Sequence, residues 1–171
     1  MRRGFILVDG YNIIFSNKEL TELAEQSLEI ARRKLCDILC DYKGVIDDSV
    51  IAVFDAHLVE GGAGSVEAYN NIMVVFTKEA ETADHYIERT AQKLARNERV
   101  IVATSDRLEQ IIIIGRGAQQ VSAQDFWTEV EYAREAARAR YIHSRSIKKN
   151  PIEHFLDAET ARRLDEMRYG R

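Results

Sequence analysis

Short apolar runs alternate along the chain with stretches whose apolar positions recur at helical spacing. Phe5-Ile6-Leu7-Val8 is a compact apolar run closed by a polar cluster, as a buried strand would be. Ser16-Asn17-Lys18-Glu19 resembles a capping box and predicts the start of a helical region. Leu28, Ala31, Leu35, Ile38 and Leu39 carry the helical spacing on to Tyr42, and Gly44 ends it. Val50 to Phe54 reads as a second strand, Ile72 to Phe76 as a third and Val100 to Ala103 as a fourth. The glycine-bearing stretch 57–70 predicts a loop. Thr82 can cap a helix running to about Asn97. A short helix through Glu109-Gln110 and a brief strand near 118–121 should follow. Ser122-Ala123-Gln124-Asp125 is another capping box and opens a long helix.

Continuous apolar strands separated by helices imply a mostly parallel sheet covered on both faces, an α/β fold. With 171 residues, 46% of them hydrophobic, the chain can bury one real core. Pro151 should stop the long helix, which divides the chain into a domain over 1–150 and a short helical extension over 151–171. No internal repeat breaks this scheme. Cys36 and Cys40 lie four apart with no second pair at zinc spacing, so both read as core residues of a reduced, cytoplasmic protein. The first apolar run is too short for a signal peptide, and nothing approaches a membrane span.

The polar residues that close the strands carry the chemistry. The first strand ends in Asp9, the second in Asp55 and the fourth in Asp106, while Glu81 and Asp84 stand at the start of the helix after the third. In open parallel sheets, sites form at the carboxyl ends of the strands, so these groups converge on one edge. Carboxylates brought together repel, and a divalent cation is the usual remedy. Oxygen ligands without histidine or cysteine favour Mg²⁺ or Mn²⁺ over zinc. Such a centre can activate water and neutralise charge on a phosphodiester. Each acid also has a simpler reading. Asp106 with Glu109 fits a helix cap, Asp84 suits a helix N-terminus, and Asp55 could close a turn. Asp9 resists such a reading, because a carboxylate behind a buried strand is costly unless paired, and Gly10 allows close backbone approach. Asn12 is either a turn residue or a group that orients a ligand.

Other chemistries find no support. There is no Walker loop and no G-x-G-x-x-G after a strand, so no nucleotide cofactor is expected. The position two beyond Asp9 is Tyr11, where aspartyl-phosphate phosphatases usually carry a second Asp. His57 and His85 lack partners at defined spacing, and Ser105 reads as a cap or supporting residue.

Val8-Asp9-Gly10-Tyr11-Asn12, Val53-Phe54-Asp55-Ala56, Thr77-Lys78-Glu79 to Ala83-Asp84, and Ala103-Thr104-Ser105-Asp106 together resemble the NYN domain. More narrowly, the chain looks like the YacP-type NYN ribonucleases of bacteria, over nearly its whole length. The resemblance implies a PIN-like, three-layer α/β/α sandwich with a central, mostly parallel sheet. It implies Mg²⁺- or Mn²⁺-dependent endoribonuclease activity, with Asp9, Asp84 and Asp106 as the acidic core holding the metal and Asn12 and Asp55 beside it. It also implies a role in mRNA decay linked to the ribosome. Whether Glu81 or Asp84 is the inner ligand is open at this level.

Charge adds one more feature. The net of −4 divides into −8 over residues 1–131 and +4 over residues 132–171. Arg134, Arg138, Arg145, Lys148 and Lys149 fall near one face if the last helix runs to about Lys149. That face is either solvated surface or an electrostatic track for an RNA backbone. A non-catalytic RNA- or ribosome-binding adaptor is therefore the alternative to the enzyme.

Overall fold

The computed structural model describes residues 4–55, 64–106 and 117–147, with side chains up to residue 140. Its strands are β1 (Phe5–Asp9), β2 (Ser49–Phe54), β3 (Ser65–Tyr69), β4 (Ile72–Phe76), β5 (Val100–Ala103) and β6 (Gln119–Val121). Its helices are α1 (Gly10–Phe15), α2 (Lys18–Gln26), α3 (Leu28–Lys43), α4 (Ala83–Leu94) and α5 (Ala123–Ile147). The six strands form one sheet in the order β3-β4-β2-β1-β5-β6, parallel throughout except for the β3–β4 pair. From β1 the chain builds outward to β2 and β4 and then returns to add β5 on the other side. β1 therefore sits at the topological switch point, where open α/β sheets place their ligands.

Alternation along the strands assigns the two faces. Ile6, Val8, Val50, Ala52, Phe54 and Val74 pack with α1, α2, α3 and the first turns of α5. Leu7, Val53, Val75, Val100 and Val102 pack instead with Ala83, Ile87 and Ala91 of α4. The result is the expected α/β/α layering. Asp9 shares the parity of Leu7, and Asp55 that of Val53. Both carboxylates are thus directed to the α4 side of the sheet.

Local details differ from the sequence-based expectation. The segment after Asp9 turns at once into α1, and the long helical region is two helices broken at Ser27, which caps α3. Asn17, not Ser16, caps α2, its Oδ1 accepting from Leu20 N at 3.1 Å. The stretch expected to be a loop holds β3, an edge strand with an exposed Val66 and Glu67 whose pattern gives no buried stripe. It turns into β4 through Asn70, which adopts the left-handed φ of 51° that asparagine tolerates. The cap assigned to Thr82 is present, as is the one at Ser122. The short helix expected near Glu109, the extension 151–171, His57, and Lys148 and Lys149 lie outside the described residues.

Cys36 is buried and Cys40 half-buried, both unpaired, and burial pushes the Cys36 thiol up to about 12. Tyr42 ties α3 to α5 by donating to Glu129 Oε1 at 2.5 Å. The chain divides into two compact units, Met1–Arg134 and Glu135–Arg171. No helix among the described residues is long and apolar enough to cross a membrane.

Candidate active site

The carboxyl ends of β1 and β2, the turn after β5, and the start of α4 line one open cleft of about 680 Å³. It is bordered by Asp9, Asn12, Asp55, Thr82, Asp84 and Ser105. Parallel register explains the meeting. Asp9 lies opposite Val53, two residues short of Asp55, and Val8 lies opposite Ala103, so Thr104 to Asp106 emerge at the same edge.

Asp9 is 5% exposed. It caps α1, its Oδ1 accepting from Asn12 N at 3.1 Å and its Oδ2 from Asn12 Nδ2 at 3.4 Å. The simple capping reading is therefore partly true of Asp9 itself. It does not account for the electrostatics. Burial pushes the Asp9 carboxyl up from the ordinary 3.8 to about 6; the Asn12 N–H opposes this and the neighbouring Asp84 charge adds to it. Asp84 shares a hydrogen bond with Asp9. Its own carboxyl is also raised, first by desolvation, then by the charge of Asp106, and further by Asp55. The charges of Asp106 and Asp55 thus act on Asp84, and that of Asp84 on Asp9, which links the four side chains into one acidic group.

Asp48 supplies a contrast within the same fold. It too is buried, but at the amino-terminal edge of the sheet, where it accepts from Gly4 N at 2.8 Å and pairs with the guanidinium of Arg99. A buried carboxylate that serves structure has its cation. Asp9 meets another carboxylate instead.

Asn12 joins two strands at the site. While its N–H groups serve Asp9, its Oδ1 accepts from Ser105 N at 3.2 Å and from the Ser105 hydroxyl. Thr104 is fully buried, and its Oγ1 accepts from Asp106 N at 3.1 Å, which orients the loop that carries Asp106. Asp55 accepts from Ala83 N at 3.4 Å and so satisfies a free N–H at the start of α4. The positive end of that helix dipole faces the acids. Gly10 is needed for packing: a Cβ there would lie 2.2 Å from the Phe54 ring. The close approach expected at Gly10 is real, and its partner is a core aromatic.

Glu81 does not join the group. It forms an ion pair with Arg89 at 2.7 Å and borders a neighbouring groove, not the cleft of Asp9. Of the two acids at the start of α4, Asp84 is the one at the site. Of the basic residues, Arg134 pairs with Asp41 at 3.7 Å and Arg138 is exposed, while the side chain of Arg145 lies outside the described ones. Ser105, Thr82 and Phe15 border the cleft without having been singled out as site residues by sequence. Ser105 and Thr82 read correctly as cap or supporting residues. Phe15 carries no signal in the apolar pattern.

Among the described residues, no three His, Cys, Asp or Glu side chains stand close enough together to hold a metal ion as placed. The chemistry of the donors nevertheless fits a hard divalent cation. The donors are all carboxyl oxygens, burial and a second acid push the Asp9 carboxyl up to about 6, and among the described residues no basic side chain lines the cleft with it.

Known proteins show the same arrangement of sequence and fold. The model of the YacP-like NYN domain matches residues 6–169. The YacP protein of Bacillus subtilis (strain 168) is 43% identical over 127 residues, which are 74% of each chain. The crystal structure of Rae1 (YacP) from Bacillus subtilis superposes with a TM-score of 0.72 at 37% identity, covering 97% of this chain and 95% of that one. Its W164L mutant gives a TM-score of 0.70 at 39% identity, covering 82% and 84%. With matching sequence, sheet and nuclease-type domain, the chain belongs to the YacP-like NYN family.

Proposed function

We propose that this protein is a divalent-metal-dependent endoribonuclease acting on mRNA in the cytoplasm, in a ribosome-associated setting. The observation that carries the reading is the meeting of buried Asp9 with Asp84 instead of a cation, at the switch point of the sheet. Asp9, Asp84 and Asp106 would hold Mg²⁺ or Mn²⁺. Bound there, the cation supplies a Lewis acid that offsets phosphodiester charge and lowers the pKa of water. The chain's own groups do the rest. Asn12 fixes the Asp9 carboxylate and the Ser105 loop in one orientation. Asp55 anchors the start of α4 and keeps Asp84 facing Asp9. The ribosomal setting and the mRNA substrate rest on the family resemblance and on the basic residues Arg138, Arg145, Lys148 and Lys149.

The test is cleavage of a defined mRNA in Mg²⁺, with and without ribosomes, by wild type and by Asp106→Asn. Internal cuts by the wild type alone support the enzyme, and cuts that need ribosomes place the substrate there. Equal cleavage by both proteins overturns the mechanism. Exposed Arg138 favours one other reading, the non-catalytic adaptor. Its mark is RNA or ribosome binding that survives Asp9→Asn, falls when Arg138 and Arg145 are reversed in charge, and is accompanied by no cleavage.

A further inference from the structure

Phe15 is 54% exposed, the most exposed phenylalanine among the described residues. A single exposed apolar side chain is ordinary. This one is placed and supported. It borders the cleft of Asp9, Asp55 and Asp84, and it lies four residues after Tyr11 on the same face of α1. The two rings are stacked, with centroids 6.3 Å apart and planes inclined by 23°. Tyr11 in turn is fixed. It is buried, meets the Phe54 ring edge-on at 5.3 Å, and accepts from Arg32 Nη1 at 2.8 Å. The exposed ring is thus the outer member of an aromatic pair whose inner member is clamped to the core. Such a rigid apolar face beside a phosphodiester site suits a nucleobase, because every base has a π-face and aromatic rings hold unpaired bases by stacking.

We propose that Phe15 is a stacking platform for an unpaired base next to the bond that is cut. The inference rests on the nuclease reading for its substrate. A base in a duplex already stacks on its neighbours and cannot cover the ring without leaving them. Phe15 would therefore select loops and unpaired segments over helices and set the register of the strand against Asp9 and Asp84.

The experiment uses a short single-stranded RNA with 2-aminopurine at successive positions, bound to Asp9→Asn protein carrying Phe15, Phe15→Leu or Phe15→Trp. Quenching at one position is expected with Phe and Trp and lost with Leu, which keeps apolar bulk without a π-face. In the otherwise wild-type protein, Phe15→Leu should lower kcat/KM on the order of 10-fold. An abasic nucleotide at the quenched position should cost the wild type a similar factor and cost Phe15→Leu almost nothing more, while Phe15→Trp restores activity on the intact RNA. Equal quenching in all three proteins, or independent losses from Phe15→Leu and the abasic site, overturns the platform. The two readings fail separately. Quenching that depends on the ring, without cleavage by the wild type, removes the nuclease and keeps the platform. Cleavage that is indifferent to Phe15 does the reverse.

Discussion

Two buried aspartates, Asp9 and Asp48, differ in what they face: Asp48 meets a guanidinium and Asp9 a second carboxyl. Asp48 has Arg99, so Arg99→Met should leave an uncompensated buried acceptor and cost about 1–3 kcal/mol of stability. Urea unfolding measures that loss, and RNA cleavage should be unchanged wherever the variant is folded. Asp9 behaves in the opposite way. Its carboxyl is neutral in the folded chain up to about pH 6 but ionises near 3.8 when unfolded. Between those values the unfolded state binds fewer protons, so stability is fully present below about pH 4 and is lost as pH rises through 6. The loss is on the order of 3 kcal/mol in metal-free protein. Asp9→Asn keeps the cap on α1, since asparagine also caps helices, and removes the ionisable group. Metal-free Asp9→Asn should therefore melt higher than wild type at pH 8, with the difference shrinking towards pH 4.5. Added Mg²⁺ should raise the wild-type melting temperature and leave Asp9→Asn unmoved. A wild type that is equally stable at both pH values contradicts this account of Asp9.

At the scale of elements, the site depends on how closely α1 lies against β2 and how α4 begins. Gly10→Ala forces a Cβ into the Phe54 ring, and overpacking of this kind costs about 1–3 kcal/mol. A drop of roughly 2–10 °C in melting temperature is expected for a chain of this size, together with a loss of cleavage, because α1 carries Asn12 as well as Gly10. Unchanged stability in Gly10→Ala would show that α1 can shift freely. The apolar pattern of the sequence reveals β1, β2, β4 and β5 because most residues of each are buried or half-buried and apolar. It conceals β3, an edge strand with little to bury, and α1, whose six residues are too few to show a period. Asp9, Asp55 and Asp106 were legible as strand ends because parallel strands deliver their last residues to one edge. The choice of Asp84 over Glu81 was not, since it depends on Arg89 of α4, eight residues beyond Glu81, drawing Glu81 away. The bridge from Asn12 to Ser105 spans 93 residues and has no local signature.

Over the whole molecule, charge is divided between an acid-rich body and a basic segment after residue 131. Arg134 spends part of its charge on Asp41, so Arg138 and Arg145 are the better probes of the expected RNA track. Reversing both should weaken RNA binding and flatten its dependence on salt, by about 0.7 in the logarithmic slope for each single-strand phosphate contact removed. An unchanged slope identifies the face as plain solvated surface. The central claim concerns the acids, and the most direct measurement is single-turnover cleavage of an end-labelled single-stranded RNA by wild type, Asp9→Asn, Asp84→Asn and Asp106→Asn in Mg²⁺, Mn²⁺ or chelator. The wild type should cut internally only with metal, and each folded variant should be slower by at least about 100-fold, the scale on which removing one charge-stabilising group from an active site is felt. Cleavage that persists in chelator, or that is equal in folded wild type and Asp9→Asn, would contradict the account.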